Sequence, residues 1–251
     1  MPASSPSHHP CILVPVYNHP DGIQIVCEKL NRFALPCLLV DDGSDAPCRD
    51  LLRLLADRYA WVELLRFEQN RGKGAAVSAG LAHAQKLGFS HALQVDADAQ
   101  HDLADVPRFI AASRAEPAAI VTGTRVAEGI SAARHYGRKL TDMLVWLETL
   151  STRIEDSMCG YRLYPLPATM ALLGRHKVGQ RMDFDTDILV RLMWRGVPVT
   201  QLATRVIYRD HIPSHFRMVA DNLRITRMHT LLVLGMIIRS PLLLRRKLFR
   251  G

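Results

Sequence analysis

The run Leu93-Gln94-Val95-Asp96-Ala97-Asp98-Ala99-Gln100-His101 places two carboxylates and an amide at alternate positions where a short apolar stretch ends. In an extended chain, residues two apart face the same side, so Asp96, Asp98 and Gln100 are expected to converge on one point. Oxygen ligands in that pattern suit a hard divalent cation, Mg²⁺ or Mn²⁺, which keeps open positions for water and for the phosphates of a bound nucleotide. A lone D-x-D triplet also arises in ordinary turns, where Asp side chains bond nearby backbone. What separates this triplet from a turn is the company it keeps.

Three more polar clusters follow apolar runs. Tyr17-Asn18 comes after Cys11 to Val16, Asp41-Asp42-Gly43-Ser44 after Cys37 to Val40, and Asn70-Arg71-Gly72-Lys73-Gly74 after Val62 to Arg66. A carboxylate such as Asp42 can accept hydrogen bonds from a nucleobase or a ribose, although Ser44 or Asp45 can equally cap a following helix. The Asn70 to Ala76 stretch is glycine-rich, basic and placed at a helix start, where free N–H groups and the helix dipole favour anions. The spacing G-x-x-x-x-G-K-S/T is absent, which argues against a P-loop NTPase.

These clusters need elements to hold them. The apolar runs alternate with amphipathic stretches at about Gly22 to Phe33, Ala46 to Arg58 and Gly72 to Leu87, and a fourth strand is expected at Ala92 to Val95. Strand and helix in alternation predict a mostly parallel, Rossmann-like sheet with right-handed crossovers. Ligands of such sheets bind beyond the carboxyl ends of the strands, where all four clusters fall. Downstream the pattern predicts helices near Val106 to Ala115, Tyr136 to Thr149 and Asp185 to Trp194. Strands are expected at Ala119 to Gly123, Cys159 to Tyr164 and Val199 to Tyr208.

The chain has 251 residues, 48% hydrophobic, enough for a sizeable core, and a formal charge of +8. That charge favours acidic partners without choosing among them. Nucleic acid is not expected as a partner, because three acidic clusters at strand ends would repel phosphates unless a cation lay between them. Five cysteines with no C-x-x-C pair suggest neither a disulfide framework nor a zinc site, and a reducing cytoplasm fits best. Residues 1–9 read as a disordered leader without the apolar core of a signal peptide.

The motifs Pro15-Val16-Tyr17-Asn18, Val40-Asp41-Asp42-Gly43-Ser44, Asn70-Arg71-Gly72-Lys73-Gly74 and Asp96-Ala97-Asp98-Ala99-Gln100, in that order and spacing, resemble the nucleotide-sugar-binding half of family 2 glycosyltransferases. Within that family they are similar to the polyprenyl-phosphate (dolichyl-phosphate mannose) sugar synthases. Gly123-Thr124-Arg125, Arg138-Lys139-Leu140 and Asp156-Ser157-Met158-Cys159-Gly160-Tyr161-Arg162 extend the resemblance as variants of downstream elements. It implies an α/β fold of the GT-A type, an αβα sandwich over residues 10–217, followed by a C-terminal amphipathic helical tail at 218–251. By the same resemblance the donor is a UDP- or GDP-sugar, the metal Mg²⁺ or Mn²⁺, and transfer inverts configuration. Pro15, Tyr17, Asn18, Asp42, Lys73 and Asp96 would line the nucleotide site, and Asp98 and Gln100 would hold the metal. Arg125 and Arg138 would meet phosphate oxygens.

The acceptor decides whether a base is needed, because a lipid phosphate is already anionic whereas a hydroxyl must lose a proton. Asp156 and Asp185 are the candidate bases; the second lies in Met182-Asp183-Phe184-Asp185-Thr186-Asp187, where first-turn helix acids are also favoured by the dipole. His215, in the tract Asp210 to Arg217, is a further candidate metal ligand. No run reaches the about 18 to 20 apolar residues that span a bilayer. The mixed tail Leu242-Leu243-Leu244-Arg245-Arg246-Lys247-Leu248-Phe249-Arg250 suits peripheral docking on an anionic membrane, on the cytoplasmic face and beside a lipid-linked acceptor. A soluble transferase acting on a lipid or glycan hydroxyl, and a noncatalytic membrane- or nucleic-acid-binding module, are the competing readings.

Overall fold

The computed structural model describes residues 8–126, 132–207 and 216–248. A seven-stranded sheet forms the centre, made of β1 (Pro10–Val16), β2 (Cys37–Asp41), β3 (Val62–Arg66), β4 (His91–Gln94), β5 (Ile120–Val126), β6 (Arg162–Pro165) and β7 (Val199–Arg205). Their spatial order is β3-β2-β1-β4-β6-β5-β7. Neighbours pair in parallel, except that β6 runs against both β4 and β5. The first strands read as unbroken apolar runs because helices cover both faces of the sheet.

Alternation along each strand divides the core into two layers. Cys11 and Leu13 with Leu38 and Val40 face one layer, and Ile12, Val14 and Val16 with Cys37 and Leu39 face the other. Helices α1 (Pro20–Leu30), α2 (Ala46–Arg58) and α4 (Val106–Ala115) cover the second layer. The first is covered by α3 (Lys73–Lys86), α5 (Ala132–Thr149), α6 (Leu166–Leu173), α7 (Phe184–Trp194) and α8 (Met218–Leu248). All five cysteines are buried thiols.

Two expectations need correction here. The segment after β6 forms α6, which the sequence reading left out: Pro167 stands in its first turn, a position where proline starts a helix rather than breaking one. The expectation that no segment could span a bilayer also fails, because α8 is long and apolar enough to do so by length and composition, with a best-window mean hydropathy of 1.3. Thr230, Gly235, Arg239 and Ser240 break the uninterrupted apolar run yet leave the average high. One face of α8, with Met228, Leu232 and Met236, packs into the core.

Candidate active site

The ends of β1, β2 and β3 form one interlocked group. Asp42 is buried, and its carboxylate accepts from the backbone N–H of Arg71 (2.7 Å) and Gly72 (2.8 Å) and from the Asn70 amide (2.9 Å). The expected anion site at the start of α3 is therefore already filled, by the protein's own Asp42. The Ala75 N–H is satisfied as well, by the carbonyl of Gln180 at 3.0 Å. Burial raises the Asp42 pKa, while the two N–H donors and Arg181 pull the other way. Gly72 has φ +106°, and a Cβ there would sit 2.5 Å from the Gln180 carbonyl oxygen, so only glycine fits.

Asn18 closes the same group. Its amide donates to Asp45 at 2.9 Å and its carbonyl accepts the Asp45 N–H at 2.9 Å, tying the end of β1 to the start of α2. Asp41 pairs with Arg66 and accepts the Ser44 N–H at 2.8 Å. Pro15 is buried inside β1, paired with Val40, and Tyr17 is half-buried at the end of that strand.

The next strand end behaves differently. Lys73, first residue of α3, places its ammonium 2.8 Å from Asp96 and 3.1 Å from Asp185. Burial opposes its charge, but the two carboxylates outweigh that and raise its pKa. Burial would likewise raise the pKa of Asp96, yet Lys73 and then His101 hold it well below the usual carboxylate range. Gln94, fully buried in β4, donates to Asp185 at 3.2 Å and accepts from the Tyr164 hydroxyl at 3.1 Å. Of the acids around α7, Asp185 alone enters this cluster. Asp183 accepts the Arg181 N–H, and Asp187 pairs with Arg191 and accepts the Gly179 N–H.

The D-x-D segment is not extended. β4 ends at Gln94, and the chain turns through Ala97 and Asp98 with Ala99 left-handed at φ +57°. The turn brings the Gln100 N–H onto Asp98 at 3.0 Å. The expected convergence of Asp96, Asp98 and Gln100 is thus corrected: Asp96 goes to Lys73, while Asp98 and Gln100 stay half-exposed. Gly22 of α1 underlies this turn, since a Cβ on it would meet the Ala97 carbonyl oxygen.

On the far side of β4, Arg125 at the end of β5 grips Asp156 with two bonds of 2.6 and 2.7 Å. Burial would raise the Asp156 pKa, but the Arg125 bond and charge bring it below the usual value, with Arg138 adding to the effect. Arg138 lies half-buried on α5. The buried Arg162 bonds Thr122, the Asp185 carbonyl and the Ser157 carbonyl, joining β5, α7 and the Asp156 loop. Gly160 lets that loop approach closely. A Cβ there would lie 2.7 Å from the Lys73 ammonium and 2.8 Å from Asp96.

Among the described residues no group of three or more His, Cys, Asp or Glu side chains could cage a metal. The half-exposed Asp98 carboxylate, one oxygen of which holds the Gln100 N–H, and the half-exposed Gln100 two residues on are a donor set of the open kind. It fits a Mg²⁺ or Mn²⁺ ion that draws its remaining ligands from water and phosphate, and fits no enclosed site. His215 lies outside the described residues.

Residues 11–180 match the glycosyl transferase family 2 domain. The chain belongs to glycosyl transferase family 2. Among its relatives, a dolichyl-phosphate beta-glucosyltransferase of Dictyostelium discoideum is 25% identical over 241 residues, covering 85% of this chain and 72% of that protein. A polyprenol monophosphomannose synthase of Mycolicibacterium smegmatis is 28% identical over 241 residues, covering 87% and 84%. The fold is similar to that of glucosyl-3-phosphoglycerate synthase from Mycobacterium tuberculosis, solved with Mn²⁺, UDP-glucose and phosphoglyceric acid. The TM-score is 0.66 at 13% identity, over 93% of this chain and 80% of that one.

For this glycosyltransferase, sequence reasoning gave no role to Gln94 or His101, and placed Gly160 and Arg162 in a motif without assigning either a task. The His101 ring stacks parallel on Tyr161 at 4.8 Å, and its Nδ1 accepts the Asp96 N–H at 3.4 Å. Burial lowers its pKa while the charges of Asp96 and Asp98 pull the other way, and its Nε2 lies 3.7 Å from Asp96. A signal for two of these was present: a glutamine inside an apolar strand and a histidine directly after the D-x-D turn.

Proposed function

We propose that this glycosyltransferase moves a sugar from UDP or GDP to a polyprenyl phosphate at a membrane surface, with inversion at the anomeric carbon. The observation that carries the acceptor assignment is the state of the two candidate bases. Asp156 is held by two bonds to Arg125, and its pKa is lowered by that contact against the pull of burial, which makes it a poor base. Asp185 is occupied by Lys73 and Gln94. An acceptor that arrives ionised needs neither. Relatives that use such acceptors by name, dolichyl-phosphate and undecaprenyl-phosphate transferases, support the same choice.

In this reading an anionic acceptor oxygen forms the new bond to the anomeric carbon as the bond to the nucleoside diphosphate breaks. No proton is transferred. Arg125 and Arg138 stabilise phosphate oxygens as charge gathers on the leaving group. Asp98 and Gln100 would hold Mg²⁺ or Mn²⁺, which neutralises diphosphate charge when bound. The Lys73–Asp96–Asp185 cluster fixes the floor of the site, and Tyr17, half-buried at the end of β1, would stack on the base.

Membrane docking follows from α8 and α5. Leu234, Ile237, Ile238 and Leu248 on α8 and Leu140, Met143 and Leu147 on α5 are exposed, and no acid occurs from Asn222 to Gly251. An apolar face flanked by cations suits the interface of an anionic bilayer, on the cytoplasmic side where nucleotide sugars are available. Transfer assays with polyprenyl phosphate and the matching polyprenol test the proposal. Glycosylation of the phosphate alone is expected; equal use of the alcohol contradicts it.

A further inference from the structure

A second concentration of positive charge lies at the other end of α7. Trp194 and Arg195 close that helix about 15 Å from Asp185, at 1.5 Å per residue. There a cavity of about 50 Å³ is lined by Leu172 and His176 from α6 and its end, by Arg191, Trp194 and Arg195, and by Arg239 of α8. Arg239 stacks over the Trp194 ring at 4.7 Å. Arg246, on the same helix, donates to the Trp194 carbonyl at 2.6 Å.

The charge count is one-sided. Arg191 is paired with Asp187, but no carboxylate among the described residues lies within ion-pair distance of Arg195, Arg239 or Arg246. Burial and then the charges of Arg191, Arg239, Arg195 and Arg175 lower the pKa of His176. The helix dipoles at the ends of α6 and α7 favour cations there, yet carbonyls occupy only part of the guanidinium donors. Each guanidinium presents five N–H groups in a planar fork, and the forks of Arg195 and Arg239, which line one cavity beside the Trp194 ring, suit the tetrahedral oxygens of a phosphate.

We infer that the cleft between α6, α7 and α8 is a phosphate-binding site, separate from the donor site, whose ligand is a phosphate monoester or diester held by Arg195 and Arg239. Two sources offer that chemistry: the headgroup of an anionic lipid under the docked α8, or a soluble phosphorylated compound. The site does not depend on the acceptor proposed above.

The test uses the full chain and two variants, Arg195→Gln and Arg195→Gln/Arg239→Gln. Arg195 is exposed, so the single variant is not expected to disturb folding. Calorimetric titration with inorganic phosphate should show a binding event that weakens roughly tenfold in the double variant and less in the single one. Nucleotide binding should stay unchanged in both. Sedimentation with vesicles of phosphatidylcholine alone, or with one third phosphatidylglycerol, then separates the sources. A loss of association confined to the phosphatidylglycerol vesicles identifies the lipid headgroup, whereas unchanged vesicle association alongside weakened phosphate binding identifies a soluble phosphate. Phosphate affinity identical in wild type and both variants, or no phosphate binding by the wild type at millimolar concentration, overturns the inference.

Discussion

The end of β2 and the end of β4 each present paired acids after an apolar strand, and they do different work. Asp42 is an internal anion: both its oxygens accept from the loop that starts α3, and those bonds shape that loop. Asp96 shares its charge with Lys73 and Asp185, and Asp98 next to it stays half-exposed with one oxygen tied only to its own turn. Acids at strand ends are thus not interchangeable site residues. The partner each one faces decides whether it builds the scaffold or remains for a ligand.

Removing Lys73 should break the second region most severely. Lys73→Met leaves the buried Asp185 and the partly buried Asp96 without their cation, and a cost of about 2–4 kcal/mol is expected in denaturant unfolding at pH 7. The pH dependence fixes the cause. Asp96 has a depressed folded pKa, so its stabilisation is complete above its unfolded value near 3.9 and is lost as pH falls through the folded value of about 2. The gap between Lys73→Met and wild type should therefore narrow between pH 5 and pH 2; a constant gap would point to lost packing instead.

Asp42→Ala should be next, at about 3 kcal/mol, because it strands two loop N–H groups and an amide. A thermal scan checks the cost. If the comparison is right, nucleotide binding by the folded variant keeps its dependence on metal. Gly160→Ala probes where the Asp156 loop touches the Lys73 cluster. Its Cβ must displace the ammonium or a carboxylate, at about 1–3 kcal/mol, and activity should fall more than melting temperature does. The smallest change is Asn18→Ala, about 1 kcal/mol from the lost bonds to Asp45. Asn18→Gly should recover part of it, since Asn18 sits at φ +52°, and an equal loss in both would show that the backbone contributes nothing.

The sheet was legible because β1, β2 and β4 are buried on both faces and end in polar clusters, and the family was legible because four such clusters follow in order. Other features were not. Alternation in Asp96, Asp98 and Gln100 reads as one face only while the chain is extended, and the left-handed Ala99 breaks that rule without any glycine to announce it. The glycine-rich start of α3 has the composition of an anion site; that its anion is Asp42, 30 residues earlier in the chain, is a tertiary fact. Arg162 closes the motif that begins at Asp156, and its burial beneath the site appears only once β6 is seen to run between β4 and β5.

Calorimetric titration of UDP and GDP, each with and without Mn²⁺, into wild type and Asp98→Ala tests the central claim most directly. One nucleotide binding with submillimolar affinity, and only when both Mn²⁺ and Asp98 are present, is the predicted result. Binding that ignores the metal and the substitution, or no binding of either nucleotide, would contradict the assignment of the β4 edge as the donor site.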